Sequence, residues 1–159
     1  MIWFVLVTLP IIFLTSALAV DINSVITAQN QASNLAYSAA LAGAYTFSPT
    51  ISPNSFLIDP TMGPIVAEQT ISSGVTDGAL SHATLVGGSG QAYVSSDGSY
   101  PGDEIVVTFS YQVTGLIFLN YLLGSGSSAT FTVTRSAFAC VPIAGSGPTS
   151  GFCVAPISQ

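Results

Sequence analysis

The first twenty residues, MIWFVLVTLPIIFLTSALAV, contain no charged side chain. As an α-helix they would run about 30 Å, the thickness of a bilayer hydrocarbon core. A helix that is apolar on every side needs lipid or protein around it, so this segment dictates a membrane span or a filament core before anything else is read. Pro10 has no amide to offer the carbonyl of Leu6, which predicts a kink or a loosened turn rather than a break. Thr8, Thr15 and Ser16 are tolerable there because their hydroxyls can bond back to helix carbonyls. A competing reading takes Ala17-Leu18-Ala19 as the small-residue end of a secretory signal peptide, whose removal would leave a soluble domain. The lack of a positively charged stretch ahead of the apolar run argues against it.

The helical pattern continues past Asp21. Ile22, Ile26, Gln29, Ser33, Ala36, Ala40 and Gly43 recur at spacings of three and four, predicting one continuous helix to about Tyr45. Its second half carries small residues four apart, Ala32 to Ala36, Ala36 to Ala40 and Ala39 to Gly43, which let another backbone approach closely. We expect one face of this half to pack on the chain's own domain and another to meet neighbouring subunits. Asp21 either marks the bilayer interface or, where assembly buries it, needs Thr, Asn or backbone amide donors from an adjacent helix.

The remaining chain is short of charge in a way that excludes several functions. Arg135 is the only Lys or Arg in 159 residues, against seven acidic residues. Nucleic-acid binding needs clustered cations to displace phosphate counterions, and none exists here. Attraction to anionic lipid headgroups fails for the same reason. At 5% charged residues the surface is not kept soluble by charge.

Prolines at 49, 53, 60 and 64 mark residues 46–64 as an irregular connection, so the chain divides into a helix at 1–45, this connection, and a β-rich domain at 65–159. Candidate strands are Ile65 to Ser72, Ala83 to Val86, Gln91 to Ser95, Glu104 to Thr114 and Ala129 to Cys140. In the fourth, Ile105, Val107, Phe109, Tyr111 and Val113 form one apolar face, and in the fifth Phe131, Val133 and Arg135 alternate with threonines, which predicts antiparallel pairing of the two. Between them Leu116 to Leu123, LIFLNYLL, is apolar nearly all round and reads as a short helix or loop that the domain or a neighbour must cover. The fold expected is α+β, a long N-terminal hydrophobic helix followed by a small antiparallel sheet.

No chemistry-bearing motif stands out. His82 has no Cys or acidic residue beside it and reads as structural, and Gly87-Gly-Ser-Gly90 reads as a loop tip because no Lys follows it. Asp97, Asp103 and Glu104 surround a Gly/Pro turn without the spacing of a calcium loop, so a solvated turn is the preferred reading over a calcium site. Cys140 and Cys153, twelve residues apart, read as one disulfide that would constrain the unfolded chain by roughly 3 kcal/mol, with two reduced thiols as the alternative. No enzyme activity, metal or cofactor is expected.

Two stretches carry a family resemblance. Leu9 to Ala44, LPIIFLTSALAVDINSVITAQNQASNLAYSAALAGA, resembles the N-terminal region of TadE/TadG-like pilus-assembly proteins, and Ile105-Val-Val-Thr-Phe-Ser-Tyr111 followed by Thr130-Phe-Thr-Val-Thr-Arg135 is similar to that family's paired strands. The resemblance implies a structural subunit of a tight-adherence, type IV-like pilus, inserted in the cytoplasmic membrane before assembly and then drawn into an extracellular filament. Its partners would be copies of itself and the pilus assembly machinery. Assembly would run through Phe4, Leu6, Pro10, Ile11, Phe13, Leu14, Leu18, Asp21, Ile22, Ile26, Ala36, Ala40 and Gly43. Type IV-like pilins often carry a glutamate near the fifth mature residue, whereas Phe4 and Val5 stand in that region here. The alternatives are a membrane-anchored minor pilin or adhesin-like module, and a secreted ligand-binding β domain freed of a signal peptide.

Overall fold

A computed structural model describes residues 2–46, 58–95, 104–123 and 128–138. One helix, α1, runs unbroken from Ile2 to Ala44 with Pro10 inside it. Its apolar first half is held by local bonds as expected: the hydroxyls of Thr8, Thr15 and Ser16 donate to the carbonyls of Phe4 (2.8 Å), Ile11 (3.0 Å) and Ile12 (2.8 Å). These hydroxyls present little unsatisfied polarity to an apolar surrounding.

Three antiparallel strands follow in the order β1-β2-β3: β1 (Ala83–Val94), β2 (Glu104–Val113) and β3 (Ala129–Phe138). The fold is α+β, as the periodicity predicts. The expected pairing of the last two strands is found, with Phe109 opposite Val133 and Tyr111 opposite Phe131. Ile105, Val107, Phe109, Tyr111 and Val113 are all buried on the inner face of β2. On the outer face Ser110 and Thr132 hydroxyls bond at 2.9 Å and Thr108 donates to Thr134 at 3.3 Å, so the solvated side of the sheet is a hydroxyl ladder rather than a charged one.

Three expectations are corrected. Ile65 to Ser72 is not a strand but lies within helix α2 (Met62–Thr76). Its β-branched residues mimic a strand, yet Gly63, Ala67 and Ile71, four apart, are the buried ones, which is the period of a helix face. Asp59 starts the helix by accepting the amides of Thr61 (2.8 Å) and Met62 (2.9 Å) through Oδ1, and Pro64 falls in the first turn, where no intrahelical amide is required. Secondly, the segments Ala83 to Val86 and Gln91 to Ser95 belong to one strand. Gly87-Gly-Ser-Gly90 is a bulge within it, bridging register pairs Val86 with Ser110 and Gln91 with Thr108. Gly87 and Gly88 hold φ of +83° and +77°, and at Gly90 a Cβ would run into Ile71 of α2. Thirdly, the stripe read off the sequence is the buried face of α1 only in its second half, at Ala36, Ala40 and Gly43, and not in its first, where Ile22, Ile26 and Gln29 are exposed. Asp21, Ala28, Ala32, Leu35, Ala36, Ala39 and Ala40 face the domain, while Ile22 and Ile26 point outward.

The core therefore lies between α1 and α2 on one side and the inner face of the sheet on the other. Close approach requires small residues: a Cβ on Gly43 would come within 2.6 Å of Ile105 Cδ1 and 2.8 Å of the Gly63 carbonyl. The Cys140–Cys153 pair, the Asp97 to Asp103 turn, residues 47–57 of the proline-rich connection and the Gly124 to Gly126 linker lie outside the described residues.

Candidate assembly interface

The helix α1 is two surfaces in one element. From Trp3 to Val20 its large apolar side chains are exposed, Trp3 to 81%, and among the described residues nothing buries this stretch. From Asp21 onward one face is inside the domain. Of the residues expected to mediate assembly, Phe4, Leu6, Pro10, Ile11, Phe13, Leu14, Leu18, Ile22 and Ile26 are exposed, whereas Asp21, Ala36, Ala40 and Gly43 are buried within the chain itself. The small-residue stripe thus receives α2 and β2, and the surface left for outside partners is the bulky one.

Asp21 sits at the junction. It is 3% exposed, and its carboxylate accepts the amides of Ile117 (2.6 Å to Oδ1) and Phe118 (2.8 Å to Oδ2). These amides open helix α3 (Ile117–Leu123), which is the form LIFLNYLL takes. A buried carboxylate requires donors, and here a helix of the same chain supplies them, so Asp21 is buried without any neighbouring copy. The sequence offers one faint signal for this contact, the lone acid at the end of an apolar run. Its partner, nearly a hundred residues away, is set by the fold.

Two more polar ties fix the sheet on α1. Arg135 Nη2 donates to Ser33 Oγ at 3.2 Å, and the Gln31 side chain bonds Ser81 through both its amide nitrogen (2.9 Å) and its oxygen (3.1 Å from the Ser81 amide). Arg135 closes a groove of about 300 Å³ lined by Val25, Gln29, Ser33, Tyr111 and Phe131. Tyr111 stacks on Phe131 with ring centroids 5.7 Å apart, and burial raises its phenol pKa. Asp59 is held below the usual carboxylate range by the amides of Met62 and Thr61. Among the described residues no three His, Cys, Asp or Glu side chains gather where a metal ion could be held, and His82 contributes only its carbonyl, which accepts the Thr114 amide at 3.0 Å.

The exposed charge-free half of α1 thus runs to a buried aspartate, and the same helix continues onto the chain's own sheet. Residues 2–46 match the family of putative Flp pilus-assembly TadE/G-like proteins. The TadE/G-like segment coincides with α1 and its first turn beyond, so the matched unit is the helix alone. The strands of the second resemblance, residues 105–135, lie outside it. The family is one of pilus assembly. No curated protein and no solved structure matches the chain.

Proposed function

We propose that this protein is a pilin-like structural subunit of a Tad-type pilus, held in the membrane by the first half of α1 and assembled with copies of itself through the same surface. The observation that carries this reading is the exposed apolar surface from Trp3 to Val20 within the TadE/G-like segment. Exposure of these twelve large apolar side chains is not sustainable in water at about 25 cal/mol per Å². Lipid before assembly and neighbouring helices afterwards would cover it. The residues carrying assembly are then Phe4, Leu6, Ile11, Phe13, Leu14, Leu18, Ile22 and Ile26, with Asp21, Ala36, Ala40 and Gly43 serving the chain's own domain. The Cys140–Cys153 disulfide read from the sequence would show as an intact mass two hydrogens lighter than that of the reduced chain.

Shearing surface material from cells and imaging it tests this. Regular fibres that contain this chain as bulk mass are expected, and fibres unchanged in its absence would overturn the subunit role. A second reading, a membrane-anchored minor component, is favoured by the burial of the small-residue stripe inside the protomer, which leaves fewer close-packing positions for a helical bundle. It predicts loss of fibres on deletion with only trace amounts of the chain in them.

A further inference from the structure

Beyond α1, helix α3 also exposes large apolar side chains. Tyr121 is 80% exposed, Leu122 64% and Ile117 57%. Leu116, just ahead of the helix, is buried, so the segment is anchored on one side and open on the other.

Its height along α1 is fixed. The bonds from Ile117 and Phe118 to Asp21 tie the start of α3 to the residue that ends the charge-free run. Residues 2–20, at 1.5 Å each, span about 28 Å, close to the roughly 30 Å of a hydrocarbon core. When that run crosses a bilayer, α3 begins at the boundary between acyl chains and headgroups. The other end of the sheet, where Ile105 meets Gly43, stands some twenty helical residues further out, about 30 Å.

The chemistry of the level suits lipid. No charged residue occurs from Ile105 to Thr134, and the carboxylate of Asp21 is turned inward onto the α3 amides rather than displayed. The apolar exterior of α1 continues across this level through Leu18, Ile22 and Ile26, all exposed, so the outward face of α3 extends a surface already apolar. An exposed tyrosine beside aliphatic residues is the composition of an interfacial belt, where the ring is buried and the hydroxyl stays wet.

We propose that α3 is an interfacial membrane anchor, with Ile117, Tyr121 and Leu122 seated in the headgroup–acyl boundary of the bilayer that α1 crosses. The inference rests on the membrane reading of α1. With about two turns of helix immersed beside α1, the domain is held at two points and cannot swing freely about Asp21. The lack of basic residues means that neutral lipid suffices.

The full chain in phosphatidylcholine vesicles gives the test, because Trp3 is its only tryptophan. Wild type reports α1. Trp3→Phe combined with Tyr121→Trp reports α3, and Trp3→Phe combined with Tyr93→Trp reports the far end of the sheet, where Tyr93 is exposed opposite Val106. Nitroxide-labelled lipids, with the label near the top or near the end of the acyl chain, provide the quenching. The reporter at position 121 is expected to be quenched severalfold more by the shallow label than the reporter at position 93. Quenching of Trp3 without quenching at 121 would overturn the anchor and leave the membrane reading of α1 standing. A blue-shifted reporter at 121 that no lipid label quenches would mean a protein neighbour covers α3, which also overturns it. Absence of any lipid quenching of Trp3 would overturn the membrane reading and the anchor together, and equal quenching at 93 and 121 would mean that the whole domain adsorbs, which overturns the anchor alone.

Discussion

Asp21→Ala isolates the joint between the exposed helix and the folded domain. In the native protein both carboxylate oxygens accept amides of α3 at 2.6 and 2.8 Å, with the side chain 3% exposed. Hydrogen bonds to a charged group contribute about 1.5–3 kcal/mol each, and loss of a helix-capping side chain costs about 0.5–2 kcal/mol, because the amides left behind lose their partner. Some relaxation and water entry will recover part of this. We therefore expect Asp21→Ala to destabilise the domain by about 2–4 kcal/mol, and Asp21→Asn, which keeps one acceptor oxygen, by about half as much. With a urea slope near 2 kcal/mol/M the midpoint in detergent micelles should fall by about 1–2 M for Ala. Hydrogen exchange locates the effect: the amides of Ile117 and Phe118 should lose protection while those in the middle of β2 report only the global change. A midpoint unchanged within about 0.5 kcal/mol, or α3 amides as protected as before, would refute the capping argument.

Four further outcomes follow from the same geometry. Ile71→Ala, which empties a fully buried site between α2 and the sheet, should cost about 2–5 kcal/mol in denaturant unfolding. Gly43→Leu should cost more than Gly43→Ala, since even a methyl would press on Ile105 and on the Gly63 carbonyl; both should lower the midpoint by at least about 1 kcal/mol. Asp59 has a carboxyl pKa below its unfolded value of about 3.8, so its stabilising effect is complete above that pH and disappears as pH falls through the folded value; Asp59→Asn should flatten the acid limb of a stability–pH curve below about pH 4. Ile22→Ser with Ile26→Ser should change domain stability by less than about 0.5 kcal/mol, since both side chains face outward, while reducing the chain recovered in sheared fibres.

The long helix and the β2–β3 pair were legible because each carries one unmixed signal. Residues 1–20 hold no charge, and Ile105 to Val113 alternate without a fault. Helix α2 was not legible, since Ile65, Val66, Thr70 and Ile71 favour a strand locally, while the helix face is written in Gly63 and Ala67, residues with little hydropathy of their own. The same physics sets the facing of α1: Ala28, Ala32 and Ala39 sit inside because backbones approach there, and Ile22 and Ile26 are exposed. The stripe drawn at helical spacing therefore found the outward face at Ile22 and Ile26 and the inward face at Ala36, Ala40 and Gly43. At the candidate site the acid at position 21 was visible as a residue needing donors. Its meeting with Ile117 and Phe118 depends on β2 carrying the chain back from the level of Gly43 to that of Asp21, which local pattern does not reveal.

The proposed function requires that the apolar half of α1 stay in the mature protein and be covered by lipid or by other copies. Intact-mass and N-terminal analysis of the protein recovered from membranes and from sheared surface material addresses it directly. The account predicts a chain that retains the residues from Trp3 to Val20 in both fractions; a freely soluble monomer beginning at Val20 or Asp21 would contradict it.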